Sequence, residues 1–273
     1  MSRQAVLSPA DPVAAPARDS VRYLLDSRSF QYATLGAATL AVWAFVASLT
    51  IPILLPSPLD VGSAFLRMIS NGTIFQHIGW SYLRILAGWV AGCAVGIPLG
   101  ILAGRLHVLK RVVEPYIDFF RFIPPIAFLT LSLIWFGLGE LSKVMLIVYT
   151  TLFIVFLNTM TGALSVEKER IRAAQCLGAT GQQVFRHVIM PATVPYIITG
   201  VRLAMGNSFM TVVAAEMIAA QSGVGFLIFS SRLFAQTDYV FTGIISLGIM
   251  GSVADLLLRK IVGLVAYRYD IKL

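Results

Sequence analysis

Charged residues are scarce in this chain of 273 residues. The 21 Lys and Arg and the 13 Asp and Glu make up only 12% of it, against about 25% in an average soluble domain. Apolar residues account for 58%, and a soluble fold of this size cannot bury that much apolar surface. We therefore predict an integral membrane protein, whose organisation is described by its membrane spans instead of by soluble domains.

Cysteine and histidine are equally scarce. The two cysteines, Cys93 and Cys176, lie far apart in the sequence, which excludes a disulfide framework and a cysteine metal cluster. The three histidines are scattered, and none has a Glu or Cys at the spacing of metal ligands. The sequence therefore predicts neither a metal site nor catalytic residues.

The net charge of +8 reflects an excess of basic residues. Their distribution along the chain indicates the orientation of the protein in the membrane and the kind of partner that the charge suits. Sixteen of the 21 Lys and Arg residues fall on one predicted side of the membrane, and Arg202 lies inside a span. The other four, Arg67, Arg84, Lys143 and Arg232, are assigned to loops on the outer side. Because positive segments stay in the cytoplasm during insertion, this asymmetry predicts that both termini are cytoplasmic. Basic residues beside apolar spans also suit anionic lipid headgroups, so we expect membrane lipid, and no nucleic acid, as a partner.

Uncharged runs long enough for transmembrane helices recur along the chain, and we predict six spans in an all-α integral membrane fold. The spans lie near 32–51, 85–104, 122–139, 144–166, 188–215 and 239–254. Residues 1–28 form a polar cytoplasmic tail that suits either a short helix on the membrane surface or a disordered segment. Residues 29–273 form the transmembrane domain, with a short amphipathic helix over 59–70 and a loop with a re-entrant or interfacial piece over 217–239.

Glycines recur every four residues along the second predicted span and line one face of the helix. They are Gly88, Gly92, Gly96, Gly100 and Gly104. Because small residues let helix backbones approach closely in lipid, we predict a tight helix contact on this face. The contact suits either static packing of the bundle or a surface along which a helix moves.

The fourth predicted loop contains the densest cluster of charges in the chain. Ser165 suits the N-cap of a short helix that Gly178 would end. Thr180 and Gln183 match a capping box for a second short helix, which would stop before Pro191. Two short helices are therefore expected to project from the cytoplasmic surface.

Small residues lie together in this loop, which covers 165–191. Ala173, Ala174 and Gly178 would form a small-residue face on the projecting helices. Such a face can seat in a groove of another protein, because large side chains would hold the two backbones apart. The loop is therefore predicted to be a docking surface.

The same residues fall at the spacing of a known signature. Ala173-Ala174, Gly178, Val188 and Met190-Pro191 resemble the cytoplasmic signature of the permeases of bacterial binding-protein-dependent ABC importers. That signature reads Glu-Ala-Ala, three residues, Gly, nine residues, Ile, one residue, Leu-Pro, and this chain has Arg172, Val188 and Met190 at three of its positions. The stretches 121–125, 135–143 and 223–225 also look like the branch that handles nitrate, bicarbonate, taurine and aliphatic sulfonates.

The resemblance implies the type I ABC importer permease fold with six transmembrane helices. It implies a homodimer of this chain in the bacterial inner membrane, with two cytoplasmic ATP-binding subunits and a periplasmic solute-binding protein as partners. ATP and Mg²⁺ would belong to the ATPase subunits, in keeping with the absence of a Gly-x-x-x-x-Gly-Lys-Ser/Thr phosphate loop here, so this chain would be no enzyme and would hold no cofactor. The residues expected to couple to the ATPase are Glu169, Arg170, Arg172, Ala173, Ala174, Gly178 and Ala179.

Ionisable residues within a span are costly unless they pair or face a polar cavity. Arg202 suits either attraction of an anionic solute in the pathway or a bond with an acid such as Asp255. Glu216 lies near the external end of the fifth span and suits organisation of the 223–225 loop as part of a gate. Further polar candidates for the pathway are Asn158, Asn207 and Ser208.

Alternating access is the mechanism that these features favour: ATP binding would draw the two docking loops together and open a central cavity outward. The expected cargo is a small anionic solute of the sulfonate, taurine, nitrate or bicarbonate type, and an aromatic acid or a vitamin precursor is the alternative for the same architecture. A gradient-driven secondary transporter is a rival of another class, but such proteins usually place acidic or His relays within spans. A purely structural subunit would not need the projecting loop.

Overall fold

The structure of the protein is a computed structural model that describes residues 28–265. Within this range the chain forms α-helices and one π turn, and no strand. The helices are α1 (Arg28–Ser48), α2 (Pro58–Ser70), α3 (Thr73–Arg105), α4 (His107–Phe120), α5 (Pro125–Phe136), α6 (Glu140–Leu164), α7 (Lys168–Cys176), α8 (Gly181–Val184), α9 (Met190–Ala219), α10 (Val224–Leu233) and α11 (Thr237–Val265). The π turn (Phe185–Ile189) joins α8 to α9.

The chain separates into two compact units that divide at Pro58. The first unit contains α1, where the Trp43 Nε1–H donates to the Pro56 carbonyl at 3.1 Å and ties the segment after the helix back to it. The second unit contains the remaining helices. The polar tail predicted for residues 1–28 lies outside the described residues, apart from Arg28.

Four of the described helical stretches are long and apolar enough to cross a membrane: α3, α6, the continuous stretch Gly181–Ala219, and α11. The all-helical membrane fold is thus confirmed. The pair α4 and α5 passes the same test only together and is bent by 99° at its junction, so within residues 28–265 length and composition support four or five spans, where six were predicted. The helix α1 occupies the place of the first predicted span, but Gln31, Thr34 and Thr39 interrupt its apolar residues and lower its hydropathy.

Within the uncharged run 122–139, the helix α5 begins at Pro125 and is capped at Gly137, as the Pro124-Pro125 pair and the Gly137/Gly139 pair predict. The departure lies before it, where a separate helix, α4, occupies the place of an expected loop. The charges of α4 favoured a loop, but its inner face is apolar and packs Ile117 against Ala103 and Phe156. A helix with one buried face is stable beside the bundle despite its charged outer face.

Two helices begin earlier than predicted because they carry buried charged residues. The helix α3 starts at Thr73 rather than near Ile85, and α6 starts at Glu140. Arg84 and Lys143, which were assigned to loops on the outer side, therefore lie within these helices, and their side chains are buried. An uncharged run ends at a charge, whereas a helix continues through a charge that has a partner inside the protein.

The helix α6 packs against both α3 and α9. All five glycines of the α3 stripe face α6, which lies so close that a Cβ at Gly88 would be 2.5 Å from the Ile147 Cβ. On its other side, Gly200 of α9 lies against the side chain of Asn158. Close backbone approach lets dispersion contacts hold these three helices together, where lipid offers no hydrophobic driving force between them.

The first helix after α6 starts later than predicted. Ser165 is the C-terminal cap of α6 rather than the start of the next helix, and its hydroxyl donates to the Gly162 carbonyl at 2.8 Å. The helix α7 begins at Lys168, with Glu167 at its N-cap. A serine at this position serves either end of a helix, so the sequence signal alone does not distinguish the two.

The second predicted short helix is present but does not stop before Pro191. Its capping box forms as expected between Thr180 and Gln183. The π turn instead precedes the proline, closed by a bond from the Met190 N–H to the Phe185 carbonyl, and the helix continues as α9 with Pro191 in its first turn. The wider turn accommodates a residue that has no N–H to donate to the i→i−4 ladder.

We predict that Gly92→Ala lowers the thermal stability of the protein and that Gly206→Ala does not. The new methyl group at Gly92 would lie 2.6 Å from the Thr151 Cβ, and overpacking of this kind costs about 1–3 kcal/mol. Gly206 of α9 has open space at its Cβ position, where alanine gains up to about 1 kcal/mol of helix propensity. The measurement is the melting temperature of each detergent-solubilised variant, and equal melting temperatures would contradict the packing role.

Candidate functional site

The corner formed by α7 and α8, residues 168–184, is exposed. The helix α7 has no buried residue, and the predicted coupling residues Glu169, Arg170 and Arg172 all face outward. Leu177, which the sequence analysis did not single out, is 89% exposed at the end of α7. An exposed leucine beside small residues is a surface that a partner protein can cover.

The small residues of the corner serve two different purposes. Ala173 and Gly178 are exposed, as a docking face requires. Ala174 and Ala179 are half-buried and pack against the cluster around Val184, so they hold α7 on α8 instead. The exposed small-residue surface is therefore smaller than predicted, and the exposed Leu177 lies beside it.

Gly178 ends α7 through its backbone conformation. Its φ is +85°, in the left-handed region that glycine adopts without strain. Its N–H donates to the Gln175 carbonyl at 2.9 Å, and the Ala179 N–H donates to the Ala174 carbonyl at 3.0 Å. This turn sets the direction in which α8 leaves the corner.

The residues predicted for the pathway have different surroundings. The Arg202 Nη2 lies 3.2 Å from Asp255 Oδ1, the acid named as its structural partner, while the Arg202 Nε is buried without a partner among the described residues. The Asn158 Nδ2 donates to the Ile154 carbonyl of its own helix at 2.8 Å. The Ser208 hydroxyl donates to the Ala204 carbonyl in the same way, and neither Asn158 nor Ser208 lines the cavity that contains Asn207.

Asn207 of α9 lines a cavity of about 330 Å³ between α9, α6 and the junction of α4 and α5. Tyr149, Thr150 and Phe153 of α6 form one wall, and Arg121 lies at the junction of α4 and α5. The Thr211 hydroxyl lies 3.1 Å from the Asn207 backbone carbonyl and 3.4 Å from the Asn207 Oδ1. Of the predicted pathway residues, Asn207 is therefore the one that this cavity exposes.

Four ionisable residues meet at the opposite end of α6 and α9, and we call them the charge cluster: Arg84, Glu140, Lys143 and Glu216. The Arg84 Nη1 lies 2.7 Å from Glu216 Oε1, and both side chains are buried. Arg84 also donates through Nε and Nη2 to the Glu140 carboxylate. Lys143 Nζ lies 3.0 Å from Glu140 Oε1, so two cations and two carboxylates balance one another.

The charge cluster also holds the loop before α10. The Arg84 Nη1 donates to the Ser222 carbonyl at 2.7 Å. Glu216 accepts from the Ser81 hydroxyl and from the Gly225 N–H, each at 2.9 Å. Gly223 lies so close that a Cβ there would overlap the Glu216 carboxylate. The predicted proximity of Glu216 to the 223–225 loop is thus present in atomic detail.

Sequence reasoning missed Arg84, Glu140 and Lys143 because each lies where an uncharged run ends. A signal for Arg84 was available, since it occupies the same four-residue repeat as the glycine stripe that begins at Gly88. A residue on that repeat faces α6 and cannot be in an outer loop. No comparable pattern marks Lys143.

Residues 96–267 match the family described as binding-protein-dependent transport system inner membrane component. The chain is 39% identical over 232 residues to the taurine transport system permease protein TauC of Escherichia coli (strain K12), which covers 82% of this chain and 84% of TauC. The chain belongs to this family. It is also 32% identical over 195 residues to the nitrate import permease protein NrtB of Leptolyngbya laminosa, with 71% of this chain and 68% of NrtB covered.

The fold of the permease agrees with that membership. It superposes on a chain of the MetNI methionine ABC transporter, solved in inward-facing conformations, with a TM-score of 0.56 at 16% identity. The match covers 67% of this chain and 94% of that one. The permease is therefore the multi-pass, inner-membrane subunit of an ABC importer, a non-catalytic type of subunit that works with ATPase and binding-protein partners.

We predict that Arg84→Met destabilises the permease far more than Arg67→Met. Loss of Arg84 leaves Glu216 buried without its cation, and breaking a buried pair in this way costs about 3–5 kcal/mol. Arg67 pairs with Asp238 at 3.3 Å but is 54% exposed, and such a pair contributes at most about 1 kcal/mol.

Heat-induced loss of the monodisperse gel-filtration peak measures both effects. Addition of Glu216→Gln to Arg84→Met removes the unpaired charge and should restore part of the lost stability. Similar losses for Arg84→Met and Arg67→Met would show that the buried pair does not hold the bundle.

Proposed function

We propose that the permease forms a homodimer in which two cytoplasmic ATPase subunits dock on the α7–α8 corners and drive import of a small anion by alternating access. The observation that carries the proposal is the corner itself, where α7 has no buried residue and Leu177 and Gly178 are exposed. Family membership supports the ATPase and binding-protein partners. Among residues 28–265, the exposed corner is the surface that suits docking of the ATPase.

The connection from the corner to the far end of the bundle supports a mechanical role. Gly181–Ala219 is one helical stretch of 39 residues, about 58 Å long at about 1.5 Å per residue. It starts in the corner and reaches Glu216 of the charge cluster. A force applied by the ATPase therefore reaches the 223–225 loop without crossing a flexible connection, and that loop is a candidate gate.

The positions of basic residues support a cytoplasmic location for the corner and for both termini. Arg105, at the end of α3, lies over the Phe185 ring at 4.5 Å, so the basic residues around α4 lie at the same end of the bundle as the corner. Arg84 and Lys143 no longer count against this orientation, because both are paired inside the protein. The excess of Lys and Arg at the end of the bundle that contains the corner favours that end as the cytoplasmic one.

ATP and Mg²⁺ belong to the partner ATPase in this proposal, and the cargo is a small anion. The chain has no phosphate loop of its own. TauC is named for taurine, and NrtB is named for nitrate. Taurine and nitrate are both small and carry an anionic group, which supports a small anion as cargo. Because taurine is organic and nitrate is inorganic, the relatives support either kind of anion.

We predict that Gly178→Asp and Leu177→Asp each abolish ATP-driven uptake while the chain still reaches the membrane. Both residues are exposed, so a carboxylate there does not disturb the core but places charge in an apolar docking contact. Uptake is measured in proteoliposomes that contain the ATPase, and docking is measured by co-purification of the ATPase.

Two conservative variants serve as controls for this test. Gly178→Ala introduces the same positive-φ strain, about 1–2 kcal/mol, without charge, and Leu177→Met keeps the exposed apolar contact. Both should retain most of the uptake. Normal uptake by Gly178→Asp would remove the corner from the mechanism.

We further predict that uptake requires ATP, the ATPase and the binding protein together. Proteoliposomes with all components should accumulate an anion from a panel of taurine, butanesulfonate, benzenesulfonate, nitrate and bicarbonate only when ATP is enclosed with the ATPase. Omission of each component in turn is the control. Robust uptake by the permease alone on an ion gradient would overturn the proposed function in favour of a secondary transporter.

A further inference from the structure

The cavity beside the α4–α5 junction borders the helical stretch Gly181–Ala219, which contributes Asn207 to its lining. Its volume of about 330 Å³ lies within the range of small-molecule sites, about 300–1,000 Å³. One wall is aromatic and aliphatic and comes from α6, with Tyr149, Phe153 and Leu157. A wall of this kind suits the apolar body of an organic molecule, because contact between the two removes apolar surface from water.

The aromatic wall is held in place before any ligand arrives. The Tyr149 hydroxyl donates to the Phe120 carbonyl at 2.6 Å. Its ring lies 4.6 Å from the Phe128 ring and 4.8 Å from the Phe153 ring, measured between centroids. A ligand would therefore not have to order these side chains, and that ordering is a common cost of binding.

Asn207 provides hydrogen-bond donors on the other side of the cavity. Its Oδ1 lies 3.4 Å from the Thr211 hydroxyl, which lies closer, at 3.1 Å, to the Asn207 backbone carbonyl. Its Nδ2 makes no hydrogen bond within residues 28–265, so two N–H donors remain for a ligand. Donors that face an otherwise apolar space favour a ligand with acceptor oxygens.

Arg121 adds a positive charge at the same cavity. Its Nε lies 3.1 Å from Asp118 Oδ1, and its guanidinium lies 4.7 Å from the centroid of the Phe122 ring. The pair with Asp118 uses one edge of the guanidinium and leaves Nη donors available. A sulfonate or carboxylate at this end would receive charge-assisted hydrogen bonds, which are stronger than neutral ones.

We propose that this cavity is a binding site for an organic anion, with its sulfonate or carboxylate group toward Arg121 and Asn207 and its apolar body against Tyr149 and Phe153. The site rests on the proposed function, because it places the transported solute inside the permease. Nitrate and bicarbonate would leave the aromatic wall uncovered, and an uncharged hydrocarbon would leave the Asn207 donors unpaired. The cavity thus selects organic anions among the cargoes that the relatives suggest.

Direct binding to the whole permease tests the site apart from transport. The purified chain in lipid nanodiscs is titrated with radiolabelled benzenesulfonate, and butanesulfonate and nitrate are used as competitors. We expect saturable binding that butanesulfonate displaces at least 10-fold more effectively than nitrate. Absence of saturable binding, or equal displacement by nitrate and butanesulfonate, would overturn the proposal.

Matched asparagine variants locate the binding. Asn207→Ala removes the free donors and should weaken benzenesulfonate binding by about 10-fold to 100-fold. Asn158→Ala is the control, because the Asn158 amide is bonded within α6 and does not line the cavity. Arg121→Gln should weaken benzenesulfonate binding as Asn207→Ala does. Equal affinities of Asn207→Ala and Asn158→Ala for benzenesulfonate would overturn the assignment of the site.

Uptake measured in parallel separates the two proposals. Binding that depends on Asn207, together with no ATP-driven uptake by the complete complex, would support the site and refute the proposed function. ATP-driven uptake that is unchanged by Asn207→Ala and Arg121→Gln, together with no binding, would refute the site and leave the proposed function standing.

Discussion

A guanidinium inside an apolar helix bundle needs an acceptor for each of its donors, and Arg84 finds them on three separate segments. Five oxygens surround it, from Glu140 at the start of α6, Glu216 near the end of α9, and Ser222 in the loop before α10. Loss of any one of these segments would leave a buried charge without compensation, which is more costly than the loss of an apolar contact. The cluster therefore fixes the relative positions of α3, α6, α9 and the loop, and the rest of the bundle is consistent with that arrangement.

The glycine stripe makes this arrangement possible. The stripe and Arg84 lie on the same face of α3, and α6 approaches that face closely enough to contact glycine backbone. With larger residues at Gly88 and Gly92, α6 would be displaced and Glu140 would move away from Arg84. Close packing and ion pairing are thus parts of one interface, in which small residues bring the charged ones within hydrogen-bond distance.

The sequence was sufficient for the class of fold, the projecting α7–α8 corner and the contact between Glu216 and the 223–225 loop, because periodicity, capping residues and isolated charges are local signals. It was insufficient where a tertiary contact overrode a local one. Arg84 and Lys143 looked like loop residues because their partners are distant in sequence, and α4 looked like a loop because its buried face is visible only beside α6. Ala174 looked like part of the docking face, but the orientation of α7 on α8 turns it inward. The cavity around Asn207 is assembled from three segments, and no single stretch of sequence reveals it.

The π turn Phe185–Ile189 has a consequence for the angular setting of the helix that follows it. A π turn holds one residue more than an α turn, so shortening it by one residue would rotate all of α9 by about 100° relative to α8. Asn207 would then leave the cavity and Glu216 would leave Arg84 in the same step, although neither contacts the turn. The corner, the cavity and the charge cluster therefore share one rotational register, and a single extra residue beside the corner sets it.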